Sequence, residues 1–348
     1  MKGRVLLWLS WWVDSAVAGY LLLQAGYEVV AGFMKNYSNP TDPHCTTRAD
    51  RDSALSVAEH LGISTFVICD FRTQYHDTIL TSIYDGYQKG ITPNPDVLCN
   101  TQIKFKLFLE QALSLGCDYV ATGHYAQITH DTHYHLHRGI DNTKDQSYFL
   151  SWLSQYQLSK ALFPLGGLTK TAVRSLASQI GLPNADRPDS QWLCFVGNIP
   201  MHMFLQDKLG TQPWPIHDGS GVTIGQHDGA YLYTIGQSKF INVGQKMYVT
   251  AIDISTNTLT VGHQDDPALY RTRITVSERH RIGWETPNLT SGLVQIRYRQ
   301  APQPATLEYE ADTATMSIVF DLPQRGVAPG QVAVISIDQE IIGSGVIL

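Results

Sequence analysis

The N-terminal part of this sequence lacks an apolar run that could span a membrane. Its longest apolar stretch extends only from Val5 to Leu9, whereas a spanning helix needs roughly 20 apolar residues. No signal-peptide cleavage site follows that stretch. These absences predict a cytoplasmic chain with no membrane partner.

Cysteine is scarce and shows no metal-binding or disulfide pattern. The chain has five cysteines without a CxxC pair, namely Cys45, Cys69, Cys99, Cys117 and Cys194. An odd number without such a pair argues against a secreted disulfide framework and against a structural zinc site. In a reducing compartment a thiol is either a small buried hydrophobic group or a reagent. Composition does not decide between the two.

Charged residues make up only 16% of the 348 residues, and the net charge is −6. A nucleic-acid surface would therefore have to be local. Candidates are Lys104 with Lys106, and Arg297 with Arg299, which flank Tyr298. Charge alone favours the simpler alternative, solvated basic residues on ordinary faces. The apolar content of 43% is ordinary for a globular protein of this length, which predicts two or three domains.

Strand-like and helix-like segments alternate from Arg4 to about Leu182. In chain order they are Arg4–Leu9, Ser15–Gln24, Tyr27–Met34, Arg51–Leu61, Ser64–Cys69, Tyr75–Tyr87, Thr101–Leu115 and Asp118–Ala121. This alternation predicts βαβ units and a parallel sheet, and thus an α/β fold. Ligands of such a sheet bind at the carboxyl ends of its strands.

The pattern changes past about Pro200. Turn residues dominate Gly210–Gly229, and from Gln245 strands follow one another without helices. Examples are Tyr248–Ile254, Thr258–Gly262, Leu293–Arg299, Met316–Phe320 and Val332–Ile337. A small linking domain followed by a C-terminal β-barrel is predicted.

The loop Ser10–Ser15 lies between the first strand and the first helix. The unpaired N–H groups and the dipole of a helix start can hold a phosphate, to which Ser10 and Ser15 can donate hydroxyl hydrogen bonds. Asp14 can cap the helix or orient a metal. Taken alone, however, such a start is more often a simple cap.

Two further segments each carry one cysteine. Cys99 and Asp96 lie in Asn94–Asn100, just before a predicted helix, where the dipole lowers the pKa of a thiol and the carboxylate could act as a base. Cys194 lies in Asp189–Gly197, at the predicted seam between domains, where a loop thiol could carry sulfur between two sites. The alternative for both thiols is a purely structural role in packing. For Cys99 the functional and structural interpretations are evenly balanced, and for Cys194 the structural one is favoured.

Five segments in combination resemble one family, the bacterial tRNA-specific 2-thiouridylases (MnmA). They follow one another in the family's order over nearly the whole chain: Thr92–Asp96 (TPNPD), Ala121–Ala126 (ATGHYA), Asp141–Leu150 (DNTKDQSYFL), Tyr233–Gln237 (YTIGQ) and Ile296–Gln300 (IRYRQ). The TPNPDxxCN and KDQSYFL segments are specific to that family rather than general among nucleotide-binding proteins.

The resemblance implies a Rossmann-like PP-loop ATPase domain (adenine-nucleotide α-hydrolase-like) at residues 1–197, a small central domain at 198–265 and a tRNA-contacting β-barrel at 266–348. It implies ATP-dependent 2-thiolation of uridine 34, the wobble base of the tRNAs for Lys, Glu and Gln. ATP with Mg²⁺ would adenylate the oxygen on C2, and a persulfide on Cys194, charged by an upstream sulfur-relay protein, would supply sulfur. Cys99 would complete the release, through a Cys99–Cys194 disulfide or through hydrogen sulfide, with Asp96 as acid/base.

The resemblance also implies which residues make contacts. Nucleotide contacts would come from Trp8, Leu9, Ser10, Trp11, Trp12, Val13, Asp14, Ser15, Met34 and Gly123. Contacts to tRNA would come from Asn94, Pro95, Asp96, His124, Lys144, Asp145, Gln146, Arg297, Tyr298 and Gln331, the first three surrounding the flipped base. No metal-binding residue is implied. For His133, His135 and His137, which alternate along one strand face, a solvated hairpin is favoured over a metal site.

The chain departs from the family in its nucleotide loop. The family loop reads Gly-x-Ser-Gly-Gly-x-Asp-Ser, and its glycine positions are here Trp8, Trp11 and Trp12. Glycine permits positive φ and a close approach to the pyrophosphate. A tryptophan with positive φ costs about 1–2 kcal/mol and adds a large indole. We therefore expect severely weakened ATP binding.

Further departures lie elsewhere in the chain. Trp192 replaces a glycine near Cys194, and Ser238, Phe240 and Asn242 stand where the family has arginine and glycines. The last three weaken the expected tRNA contacts of the central domain.

Three functions are compatible with these observations. Asp96, Cys99 and Cys194 favour a tRNA-uridine 2-sulfurtransferase, which is the leading hypothesis. Trp11 and Trp12 favour an adenylation-deficient variant or paralogue that binds tRNA or sulfur-relay proteins without turnover. Another PP-loop ATPase, acting on a small amide or acid, is disfavoured because nothing in that class needs the cysteine pair or a C-terminal barrel.

Overall fold

The N-terminal alternation of strands and helices forms a parallel sheet in the computed structural model, which describes residues 2–37, 46–187, 200–282, 289–310 and 314–348. Its elements are β1 (Arg4–Trp8), α1 (Val13–Gln24), β2 (Glu28–Lys35), α2 (Thr47–His60), β3 (Phe66–Asp70), α3 (Arg72–Tyr75), a π-helical stretch (His76–Leu80), α4 (Thr81–Gln88), α5 (Pro95–Cys99), a second π-helical stretch (Asn100–Leu107), α6 (Phe108–Ser114), β4 (Tyr119–Ala121), β5 (Ala126–His130), β6 (Tyr134–Arg138), a 3₁₀ turn (Ser147–Leu150), α7 (Gln155–Ser159), β7 (Ala161–Leu162) and α8 (Lys170–Gln179). The sheet has the strand order β3-β2-β1-β4-β7, and its strands pair in parallel.

Side chains of β1 pack into two layers, one on each face of this sheet. Leu6 packs in a buried cluster with Phe105 and Phe108, whereas Val5 and Leu7 belong to the cluster that α1, α2 and α8 complete. Successive strand residues point to opposite faces, so both faces are covered, as parallel sheets require. Because β1 lies between β2 and β4, its carboxyl end and that of β4 form a switch point, where ligands of such folds bind.

A smaller antiparallel-rich unit follows the sheet. Its elements are α9 (Met201–Leu209), β8 (Trp214–His217), β9 (Thr223–His227), a 3₁₀ turn (Ala230–Leu232), β10 (Tyr248–Asp253) and β11 (Thr258–Gly262). The strands pair in the order β10-β11-β8-β9 around buried Ile216, Val249 and Leu259. This unit is the predicted central domain.

The C-terminal strands close into a barrel. They are β12 (Tyr270–Arg281), β13 (Ser291–Gln295), β14 (Gln303–Glu310), β15 (Thr315–Arg325), β16 (Val332–Ile337) and β17 (Glu340–Ile347). The order β12-β15-β14-β13-β16-β17 is closed by pairing of β12 with β17, so these six strands leave no open edge among themselves.

The β5–β6 hairpin of the N-terminal domain extends this barrel. β6 pairs antiparallel with β17, with His137 opposite Glu340 and Leu136 opposite Ile341. Leu136 is fully buried. The histidine-rich segment is thus a hairpin, as predicted, but one edge of it is covered by the barrel rather than solvated.

Several predicted boundaries were wrong, and two of them lie in segments that carry expected site residues. The helix expected at Thr101 begins at Pro95, because the Asn94 side chain caps it and proline fits the first helical position. The strand expected to reach Arg299 ends at Gln295, and Arg299 itself has a φ of 66°. No helix among the described residues is long and apolar enough to cross a membrane.

Candidate functional site

The loop between β1 and α1 is closed by its own serine hydroxyls. Ser15 Oγ accepts from the Ser10 backbone N–H at 3.1 Å, and it lies 3.0 Å from both Ser10 Oγ and the Trp12 carbonyl oxygen. Both serines are buried. The hydroxyls that the sequence offers to a phosphate therefore form hydrogen bonds within the loop.

The expected backbone strain at the loop tryptophans was wrong. Trp12 caps α1 with an extended backbone (φ −84°, ψ 146°), a conformation open to any residue. The described non-glycine residues with positive φ do not include any of the three loop tryptophans; they are Phe240, Asn257, Arg299, Ala314 and Asp338. Phe240, which is another of the departures from the family pattern, does have a positive φ, of 64°.

The indoles of Trp11 and Trp12 pack together at the start of α1. Their ring centres are 5.2 Å apart, and the Arg187 guanidinium lies 5.7 Å from each. Asn184 Nδ2 donates to the Trp11 carbonyl oxygen at 3.0 Å. Both residues thus lie at the start of α1, the end of a helix that a phosphate would approach. The serine hydroxyls and the two indoles at this helix start are therefore engaged with partners of the protein itself.

Asp14 is engaged in an ion pair. Its carboxylate accepts from Lys170 Nζ at 2.7 and 2.8 Å and from the Tyr125 hydroxyl at 2.7 Å. Within the described ranges, no group of three or more His, Cys, Asp or Glu side chains could hold a metal ion. The Asp14 carboxylate, which the sequence offers as a metal ligand, is thus paired with a lysine of the protein.

Gly123 and Met34 border the same edge of the sheet. A Cβ on Gly123 would lie 2.8 Å from backbone atoms of Asp14 and Ser15, so only glycine lets the strand end pack against the start of α1. Met34, near the end of β2, is 2% exposed and belongs to the core. Their expected contact with a nucleotide stays a prediction.

Cys99 lies inside the helix rather than before it. It is the last residue of α5, and its side chain is 2% exposed. Asn94 Oδ1 accepts from the Val97 N–H at 3.2 Å, and Asn94 Nδ2 donates to the Tyr148 hydroxyl at 3.4 Å. Asp96 lies in the first turn. The cap thus orients the helix start that carries the carboxylate and the thiol.

The segment before this cap, Thr92 and Pro93, forms hydrogen bonds with both the C-terminal barrel and the central unit. The Thr92 N–H donates to the Pro329 carbonyl at 2.8 Å, and Gln331 Nε2 donates to the Thr92 and Pro93 carbonyls at 3.0 and 3.3 Å. Thr92 Oγ1 donates to Thr234 Oγ1 of the central unit at 3.0 Å. The sequence did not predict this role of Thr92. Thr92 and Thr234 nevertheless lie in the TPNPD and YTIGQ segments, which carry the family resemblance.

Several of the expected tRNA contacts lie inside the protein. Asp145, which is 9% exposed, accepts from Arg138 and from the Gly139 and Ser147 backbone N–H groups. His124 is buried. Arg297 Nη2 donates to the carbonyls of Ile235, at 2.7 Å, and Gly326. These three side chains thus make internal contacts.

The remaining expected tRNA residues are more accessible. Lys144, Gln146 and Tyr298 are half-buried, and the Tyr298 ring lies 4.3 Å from that of Phe149. Gln146 Oε1 accepts from the Tyr125 N–H at 3.1 Å. These side chains stay candidates for an RNA-facing surface.

The second candidate thiol, Cys194, and its whole segment Asp189–Gly197 lie outside the described residues, as does Cys45. Burial raises the pKa of the Cys69 thiol to about 11 and also raises the pKa of Cys117. Neither of these two thiols is therefore suited to act as a thiolate at neutral pH.

Three consecutive family profiles match the chain. Their descriptions are tRNA methyl transferase HUP domain over residues 3–198, tRNA methyl transferase PRC-barrel domain over 202–263 and Aminomethyltransferase beta-barrel domain over 271–347. Fold and profiles together define a three-domain protein whose N-terminal domain is of the HUP class.

Full-length relatives define the family. The tRNA-specific 2-thiouridylase MnmA of Burkholderia thailandensis is 42% identical over 363 aligned positions, which cover 99% of this chain and 94% of that protein. The protein of the same name from Ralstonia pickettii is 42% identical over 358 positions, covering 99% and 96%. The chain belongs to the tRNA-specific 2-thiouridylase family.

A solved structure titled as a 4-thiouridine synthetase–RNA complex with bound ATP is a distant match. It has a TM-score of 0.40 and 18% identity, covering 57% of this chain and 46% of that one. At this score the likeness adds nothing to the family assignment.

Proposed function

We propose that this chain is a cytoplasmic tRNA-uridine 2-sulfurtransferase by architecture, whose ATP-dependent step is impaired by Trp8, Trp11 and Trp12. Its substrate would be uridine 34 in tRNAs of the Lys, Glu and Gln type, with sulfur delivered by an upstream relay protein. The observation that carries this proposal is the 42% identity to 2-thiouridylases over 99% of the chain.

In this proposal the sulfur chemistry belongs to the helix start at Asn94 and to Cys194. The terminal sulfur of a Cys194 persulfide would bond to the adenylated C2 of the base, and the bond between C2 and its oxygen would break as AMP leaves. Cys99 thiolate would then attack the Cys194 sulfur, breaking the persulfide bond and leaving a disulfide; hydrogen sulfide as the attacking nucleophile is the alternative. The capped turn at Asn94 supports this, because it places the Asp96 carboxylate three residues before Cys99 on the same helix, where it can serve as the base for the thiol.

The impairment of the nucleotide step rests on the loop geometry. Ser10 and Ser15 satisfy each other, and Trp11 and Trp12 are packed against Arg187 at the helix start. A phosphate would have to displace both sets of contacts. The unmodified chain is therefore expected to stop before C2 is activated.

The same geometry favours a second candidate function. A chain that retains its three-domain docking and its buried Cys99 thiol, but not an open phosphate cradle, could bind tRNA or a sulfur-relay protein without turnover. The contacts of Thr92 with both other domains support intact docking.

Thiolation of uridine 34 tests these functions. Unmodified tRNA is incubated with ATP, Mg²⁺, a low-molecular-weight persulfide as the sulfur donor and either the parent chain or a Trp8/Trp11/Trp12→Gly variant, and 2-thiouridine is quantified by mass spectrometry of digested RNA. Product from the glycine variant alone supports the proposal. Normal turnover by the parent contradicts the impairment, and absence of product from both contradicts the assigned activity. Cys99→Ser in the glycine variant is the control for chemistry at the thiol.

A further inference from the structure

A buried lysine lies at the carboxyl edge of the parallel sheet. Lys104, on the π-helical stretch that continues α5, is only 3% exposed. Its Nζ lies 4.3 Å from the centre of the Trp8 ring and 3.4 Å from His124 Nε2. Trp8 ends β1 and His124 follows β4. The ammonium group is thus at the switch point between these two strands.

The described neighbours of this ammonium group carry no negative charge. Because an ammonium group only donates, His124 Nε2 accepts, and Nδ1–H donates to Thr122 Oγ1 at 2.6 Å. Burial, together with the nearby Lys104, holds the pKa of His124 well below its usual value, so the imidazole is neutral. Among the residues that the structure describes, no carboxylate forms an ion pair with Lys104.

A buried cation without an anion is unfavourable, since desolvation is expensive unless a charged partner compensates. The face of Trp8 offers only partial compensation. Such an arrangement is typical of a group whose anionic partner is a ligand rather than part of the protein.

We propose that Lys104 binds phosphate oxygens of the nucleotide at the sheet edge, and that Trp8 covers it in this chain. The proposal rests on the proposed function. Trp8 stands at a family glycine position, and a glycine there would leave the ammonium open toward the crevice. Phosphates of the tRNA backbone have the same chemistry, and the experiment separates the two sources.

The test uses the full chain with Trp8/Trp11/Trp12→Gly as background, so that no loop indole obstructs the ligand. Lys104→Met is compared with Lys106→Met, which removes the same charge from an exposed position on the same helical segment. Binding of inorganic pyrophosphate is measured by isothermal titration calorimetry at constant ionic strength. Loss of a charged hydrogen bond predicts binding weakened about tenfold to a hundredfold by Lys104→Met. Lys106→Met should change binding by less than about twofold. Equal effects of the two substitutions contradict the proposal.

Two further measurements separate a ligand-binding role from other roles. Lys104→Met should unfold in urea at the same or a higher concentration than its background, because an uncompensated buried charge is removed; a clear loss of stability indicates a structural role instead. Affinity for tRNA, measured by filter binding, should be unchanged by Lys104→Met. A loss of tRNA binding with unaltered pyrophosphate binding assigns the phosphate to RNA and overturns the proposal. Neither measurement requires turnover. A failure of the thiolation assay therefore leaves the test of the Lys104 proposal unaffected.

Discussion

Replacing Asp145 by asparagine should destabilise the junction between the N-terminal domain and the barrel. Asp145 Oδ1 accepts from the Gly139 and Ser147 N–H groups, and Oδ2 accepts from Arg138 Nη1 and Ser147 Oγ. Arg138 also donates to Gln295 and Ser336 of the barrel. Asparagine replaces one acceptor oxygen by a donating amide, so two donors lose their partner whichever oxygen is replaced.

The magnitude follows from burial of the pair. The Arg138 and Asp145 side chains are 9% and 8% exposed, and breaking a buried ion pair costs about 3–5 kcal/mol. Because Arg138 keeps its two neutral acceptors in the barrel, we expect a loss at the lower end, about 3 kcal/mol.

The assay is urea unfolding of the full chain followed by circular dichroism, with tRNA affinity measured in parallel. Asn142→Ala, in the exposed part of the same loop, is the control and should change stability by less than about 0.5 kcal/mol. If Asp145→Asn unfolds like the parent chain but binds tRNA more weakly, Asp145 acts as an RNA contact and the structural interpretation is refuted.

Two further predictions concern other contacts between domains. Glu340 hydrogen-bonds His135 Nδ1 at 2.7 Å and raises the pKa of that imidazole above its usual value of 6.5. The resulting stabilisation is fully present below pH of about 6.5 and is lost as pH rises through the raised pKa. The parent should thus lose unfolding free energy relative to His135→Gln as pH increases; parallel pH profiles would contradict this. Gly330→Ala should cost more than about 2 kcal/mol, because φ is 88° and the new methyl would meet the Thr92 backbone at 2.9 Å. Gly244→Ala, with φ of 74° and open space, should cost only about 1 kcal/mol in the same urea assay.

Helices and strands were predictable from the sequence where apolar residues recur at the spacing of a helix or a strand. β11 and β16 coincide with their predicted ranges. The helix start at Pro95 was missed, although asparagine followed by proline is a known start signal. Pairing of β6 with β17 could not be predicted, because it brings together residues such as His135 and Glu340 that are 205 positions apart.

In the candidate site, too, local motifs were predictable from the sequence and the burial of individual side chains was not. Motifs predicted that the Ser10 loop and the Cys99 segment are functional. They did not reveal that Lys104 is buried, because the π-helical stretch places three consecutive residues, Ile103 to Phe105, inside the protein. A period of 3.6 residues does not anticipate this. Strain at the tryptophans was likewise inferred from glycine positions, whereas this loop follows an extended path at Trp12.

Equilibrium binding of ATP tests the central claim most directly. Parent chain and Trp8/Trp11/Trp12→Gly variant are titrated with ATP and Mg²⁺ by calorimetry, with a Trp214→Gly variant, at an exposed position of the central unit, as control. If the indoles obstruct the phosphate cradle, the glycine variant should bind ATP at least about tenfold more tightly than the parent, and the control should match the parent. Equal affinities of parent and glycine variant would contradict the account.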